Sequence, residues 1–212
     1  MRPISVSVVV LFLAAACSGT GGSTSGTKSQ AKVNIDPAAA TPEYVASLPR
    51  DQAAAVIDAM VDRYFNVAIA RCPGRADPCL NEQFETAFDQ AGELAPLCKV
   101  NGAGFEYQFC LMIAAETVPM VTAIGGNPAT DIDWSDVDST NNAARKPFAE
   151  FIGDGKCGSD RRCAIEQAAT LLGLSPTVAN SCQVHASVSD RMSCISDAKS
   201  AEVYQRALKS LS

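Results

Sequence analysis

The sequence predicts an all-α protein made of two tandem, disulfide-stapled three-helix units. Three observations carry that reading. After residue 42, apolar side chains recur at three- and four-residue steps, the spacing that lines one face of an α-helix. Eight of the nine cysteines fall into two sets of four with nearly the same spacing. With 212 residues, 47% of them hydrophobic and 19% charged, the chain is long and apolar enough to bury a core.

The first segment in chain order reads MRPISVSVVVLFLAAAC, with one basic residue, Arg2, ahead of an apolar run from Ile4 to Ala16. The run matches a secretory signal and is well short of the roughly 20 residues that span a bilayer as a helix. Ala14-Ala15-Ala16 satisfies an A-x-A cleavage site. The same residues followed by Cys17 resemble the lipobox of bacterial lipoproteins, with Ala14 where the usual leucine stands. The resemblance implies cleavage before Cys17, lipidation of its thiol and, from Ser18 in a Gram-negative cell, retention at the outer membrane. Residues 1–16 are therefore expected to be a signal peptide, and residues 17–41 a lipidated cysteine with a flexible tether. The tether is rich in Gly, Ser and Thr and has no periodic apolar face. As a random coil it spans roughly 25 to 30 Å.

The remaining cysteines stand at 72, 79, 98 and 110, then at 157, 163, 182 and 194. Their spacings are C-x6-C-x18-C-x11-C and C-x5-C-x18-C-x11-C, so a shift of 84 residues with one deletion superimposes the two sets. Neighbours agree: Cys79-Leu80-Asn81-Glu82-Gln83 lies over Cys163-Ala164-Ile165-Glu166-Gln167. Such self-similarity marks an internal duplication. It divides the chain into unit 1, residues 42–125, an acidic linker, residues 126–140, and unit 2, residues 141–212.

Each unit has helical periodicity. In the first, Ile57, Met60, Val61, Tyr64, Phe65, Ala68 and Ile69 form a stripe that stops at Cys72-Pro73-Gly74. Asp77-Pro78 offers a cap with proline at the first helical position. The helix it opens carries Leu80, Phe84, Ala87, Phe88 and Ala91 up to Gly92, and a third starts near 104 and is ended or kinked by Pro119. In the second unit Phe148 and Ile152 precede Cys157, Ile165 to Leu172 run to Gly173, and Val188, Met192 and Ile195 begin a long final helix. Four cysteines allow three pairings per unit. In an up-down-up bundle, Cys72 and Cys79 share one pole and Cys98 and Cys110 the other, which favours Cys72–Cys79, Cys98–Cys110, Cys157–Cys163 and Cys182–Cys194. Zinc sites use C-x₂₋₄-C and thioredoxin-like centres C-x-x-C, and neither spacing is present.

Composition excludes some functions. The 17 basic and 23 acidic side chains give a formal charge of −6, without the basic clusters that phosphate backbones require. One histidine, His185, leaves little room for His-based metal or acid/base chemistry. Nucleophile elbows and Gly-rich phosphate loops are absent, so no catalytic residue is assigned. Glu82 and Glu166 occupy equivalent first-turn positions and read as partners of the helix dipole rather than as an acid/base pair. Asp131, Asp133, Asp136 and Asp138 could offer oxygens to calcium, but an EF-hand alignment puts Asp136 at the turn glycine and Asn142 at the bidentate glutamate. Trp134, the one tryptophan, either anchors a partner or covers a seam between units. No cofactor is expected. The composite expectation is a cell-envelope lipoprotein acting as a non-catalytic binding or interaction module. Its partners would be the membrane, through the lipid, and an envelope protein or small molecule. The alternatives are an envelope enzyme or enzyme inhibitor using the groove between units, or a carrier of a small apolar ligand enclosed by Phe84, Phe88, Phe105 and Phe109.

Overall fold

Several helices of this chain start where a short polar side chain precedes a proline. Thr41 accepts a hydrogen bond from the Tyr44 N–H to open α1 (Pro42–Ala46), and Asn127 accepts from Ala129 to open α6 (Pro128–Asp131). Ser175 accepts from Val178 to open α9 (Pro176–Cys182). Each proline sits where its missing N–H has no helical partner to lose. The computed structural model describes residues 35–75, 77–154, 157 and 160–211, without the side chains of residues 75, 137, 138, 141, 142, 153, 154 and 188. The signal segment, Cys17 and the tether to residue 34 lie outside the described residues.

The other helices are α2 (Arg50–Arg71), α3 (Asp77–Phe88), α4 (Leu94–Cys98), α5 (Phe105–Ala123), α7 (Val137–Asp154), α8 (Arg161–Leu171) and α10 (Val188–Ser210). The fold is all-α; no strand occurs among the described residues. A long, a medium, a short and a long helix follow one another twice, as α2 to α5 and as α7 to α10. The short helices α4 and α9 are additions to the three helices per unit read from periodicity. Helix α3 stops at Phe88 because the buried Asp89 turns back, its carboxylate accepting from the N–H groups of Leu94 at 2.8 Å and Ala95 at 2.7 Å. Gly92 makes the reversal at φ 74°, a left-handed conformation that favours glycine. Gly173, at φ 71°, does the same between α8 and α9. Pro119 does not end its helix, which continues four residues to Ala123. The segment read as an acidic linker is partly helical: it contains α6 and the first turn of α7.

Four disulfides join Cys72–Cys79, Cys98–Cys110, Cys157–Cys163 and Cys182–Cys194, with Cα separations of 5.5 to 5.6 Å. Each closes a loop of similar length to its counterpart in the other half. The described residues nonetheless belong to one compact unit. Helix α10 packs along α2 and across α1, while α5 packs on α7 and α3. The larger core cluster holds Tyr64, Phe84 and Phe88 together with Tyr204, Ala207, Leu208 and Leu211 from the far end of the chain. The smaller cluster, around Phe148, Ile165, Val178 and Ile195, takes in Ala46 from α1 and Met120 from α5. Polar ties cross in the same way: Ser175 Oγ donates to Glu43 Oε1 at 2.8 Å, and Arg50 pairs with Asp190 at 3.2 Å. No helix among the described residues is long and apolar enough to cross a membrane.

Candidate functional site

The residues singled out by the sequence do not converge. Asp131 accepts from the Asn127 N–H at 2.8 Å and from Thr130 Oγ1 at 2.8 Å, and the first of these bonds is the main reason its carboxyl is held below the ordinary range. Asp133 accepts from the hydroxyl and N–H of Ser135, which lower its carboxyl likewise. Asp136 accepts from the Ser139 N–H, and the Asp138 side chain lies outside those described. These carboxylates act as local turn and helix caps, and among the described residues no three metal-ligating side chains cluster. Trp134 is 5% exposed; its indole N–H donates to the Pro128 carbonyl at 2.8 Å, and its own carbonyl accepts from Asn101. The ring belongs to the larger core cluster.

Glu82 is exposed on α3, and Glu166, on α8, pairs with Arg162 one turn away at 2.9 Å. His185 is half-buried, with Nε2 lacking a partner, beside a crevice also lined by Asp190, Cys194 and Asp197. The crevice, about 10 Å³, is too small for a ligand larger than water. The four phenylalanines pack against other aromatic rings. Phe84 and Phe88 pack edge-on against Tyr64 at centroid distances of 5.0 and 4.9 Å, while Phe105 is 54% exposed and stacks on Phe109.

A larger cleft opens elsewhere. On α10, Ser189, Ser193, Ser196 and Ser200 recur at steps of four, three and four residues and so form one stripe along the helix. The first three, with Met192 and Ile195, make one wall of a cleft of about 320 Å³. Met120 of α5, Arg145, Phe148 and Ala149 of α7, and Leu172 at the end of α8 complete it. The lining is mainly apolar, and its volume lies at the lower end of the roughly 300 to 1,000 Å³ of small-molecule sites. Two polar atoms of residues that line it, Ser196 Oγ, on a residue 6% exposed, and Arg145 Nε, are buried beneath its surface without a hydrogen-bond partner.

Behind this wall lies a buried ionisable group of residues. Ser200 Oγ donates to Glu116 Oε2 at 2.8 Å, and Tyr204 also hydrogen-bonds the same carboxyl. Glu116 is 5% exposed, and burial pushes its carboxyl up against the opposing charge of Arg145. Burial also pushes Asp197 up to about 6, with Arg145 and Arg50 pulling down and Glu116 adding to the rise. Arg145, a residue of the cleft lining, thus acts electrostatically on both carboxyls. Displaced titratable groups beside a cleft are a recognised mark of functional sites. Chemically the arrangement can bind and orient. The Glu116 carboxyl and the two hydroxyls that meet it, Ser200 and Tyr204, are all buried.

Sequence reading missed Glu116, Arg145 and Ser196. Glu116 did carry a signal, as the only charge in the apolar run FCLMIAAETVPMVTA. No protein family, curated protein or solved structure gives a match to this chain.

Proposed function

We propose that this protein is a non-catalytic binding module of the cell envelope, tethered through a lipid on Cys17, that holds a small ligand in the cleft between α5, α7, α8 and α10. The observation that carries the reading is the cleft itself, about 320 Å³ with a mainly apolar lining to which Arg145 adds a charged side chain. An envelope setting is supported by the signal-like N-terminus, the lipobox resemblance and four disulfides, which persist in oxidising compartments. We further propose that the two halves descend from one duplicated four-cysteine unit. The recurring helix order and the matched disulfide loops support that descent.

The test is recovery of the chain from cells that export it, followed by solvent extraction and mass spectrometry. Wild type is expected in the membrane fraction with a bound small molecule. Cys17→Ala is expected in the soluble fraction. Ala149→Trp, which fills the cleft from its exposed rim, is expected at the membrane without the small molecule. Identical extracts from wild type and Ala149→Trp would remove the cleft reading, and an unchanged location of Cys17→Ala would remove the anchor.

A further inference from the structure

Resting on the reading of the cleft as a small-ligand site, we infer that its ligand is a small planar aromatic molecule, held where the second half lacks a stack of rings that the first half builds from its own side chains. The two halves superimpose by burial. Val56, Met60, Tyr64 and Ala68 of α2 recur on α7 as Thr140, Ala144, Phe148 and Ile152, each 84 residues on and each 3% exposed or less. The same shift carries Cys98 and Cys110 to Cys182 and Cys194, and so α5 onto α10.

In the first half, three phenylalanines bridge the two long helices. Phe65 of α2 lies 6.4 Å from Phe105 of α5, ring centre to ring centre, and Phe105 stacks on Phe109 at 6.0 Å with the planes 7° apart. Their counterparts at the same shift are Ala149, Ser189 and Ser193, and all three line the cleft between α7 and α10. Three rings are missing where the cleft opens. The gap persists because α7 is packed against α5, and α10 against α1 and α2, so each helix is anchored away from the other. These positions are also open to a ligand: Ala149 and Ser189 are exposed, and Met192 and Ser193 are half-buried.

Two further exchanges favour a ring over an aliphatic guest. Met192 and Arg145 stand in the cleft lining where the first half has Gln108 and Val61, and thioether and guanidinium groups both gain from contact with an aromatic ring. A volume of about 320 Å³ admits a molecule of one or two fused rings.

The experiment is calorimetric titration of the full exported chain, carrying Cys17→Ser so that no detergent is needed, with naphthol and with its saturated counterpart decalol. Naphthol is expected to bind about tenfold more tightly, from modest sulfur–ring and cation–ring contacts that decalol cannot make. The triple variant Ala149→Phe, Ser189→Phe and Ser193→Phe, which rebuilds the stack of the first half, is expected to bind neither. Should it lose its near-ultraviolet circular dichroism, Ser193→Phe alone provides the comparison, with a loss of about tenfold for both probes. Equal binding of the two probes, or tighter binding of decalol, overturns the aromatic inference and leaves the small-ligand reading of the cleft standing. Binding that persists undiminished in the rebuilt variants places the site elsewhere and overturns both. If neither probe binds wild type, the aromatic inference falls, and the cleft reading is decided by the extracts of wild type and Ala149→Trp.

Discussion

Asp89 links two helices with one side chain. Its carboxylate is buried and accepts from both the Leu94 and Ala95 N–H groups, which open α4 and have no intrahelical partner of their own. Asp89→Ala is expected to destabilise the protein by about 1 to 3 kcal/mol, the cost of leaving buried donors unsatisfied, and Asp89→Asn by less. Urea unfolding followed by circular dichroism measures the difference, and a midpoint unchanged in Asp89→Ala would show that the loop caps α4 in another way. The neighbouring Glu93, which precedes α4 directly, makes no side-chain cap of its own. Proximity in sequence is therefore a poor guide to which carboxylate caps a short helix.

Among the elements, α10 organises the molecule. Its last two-thirds are buried on most sides, including Lys199, whose Nζ donates to the Leu172 carbonyl at 3.1 Å and to Glu202 at 2.8 Å. Asp197 makes this helix sensitive to pH. The groups around Asp197 are Arg145 from α7, Arg50 from α2, Glu116 from α5, and His185 and Asp190 near the start of α10. Its carboxyl titrates at about 6 in the folded protein against an ordinary value of 3.8, so between those values the native state holds a proton that the unfolded chain has lost. Stability contributed by that proton is present below about pH 4 and is lost as pH rises through about 6. Relative to Asp197→Asn, wild type should lose about 2 kcal/mol between pH 4 and pH 7, allowing for partial solvent screening. Thermal melts of both proteins across that range check this, and parallel curves would contradict it. The existence of α10 was legible from Val188, Met192 and Ile195. Its central position was not, because Ser196, Ser200 and Lys199 read as a solvated face. Small hydroxyls also permit close helix approach, and only the fold distinguishes the two uses. The cleft was hidden for the same reason, since it joins a serine stripe on one helix to an arginine and a phenylalanine on another more than forty residues away.

At the scale of the whole molecule, the cysteine spacing made the bridges legible because each closes a loop of 12 residues or fewer within one half. Contacts between halves leave no such local trace. Tyr204, Ala207, Leu208 and Leu211 sit in the core of Tyr64, Phe84 and Phe88, with Phe88 and Tyr204 edge-on at 5.9 Å. Arg71, at the end of α2, donates to the Leu211 carbonyl. In the other direction, Ala46 and Met120 fill the core of the second half. A fragment of residues 35–126 would expose the face of α2 that α10 covers. Burying a large apolar side chain is worth about 1.5 to 3 kcal/mol, and a domain's net stability is only about 5 to 15 kcal/mol, so losing several such partners exceeds the margin. Two intact disulfides would not restore it, since each limits the unfolded chain by only about 2 to 4 kcal/mol. The isolated fragment, and its counterpart 127–212, are each expected to show helical far-ultraviolet circular dichroism without a cooperative thermal transition. Mixing the two oxidised fragments is expected to recover a sigmoidal melt through α10 docking on α2. A cooperative transition in either fragment alone, at a midpoint near that of the whole chain, would show that the two halves are independent domains and that their shared core contributes little.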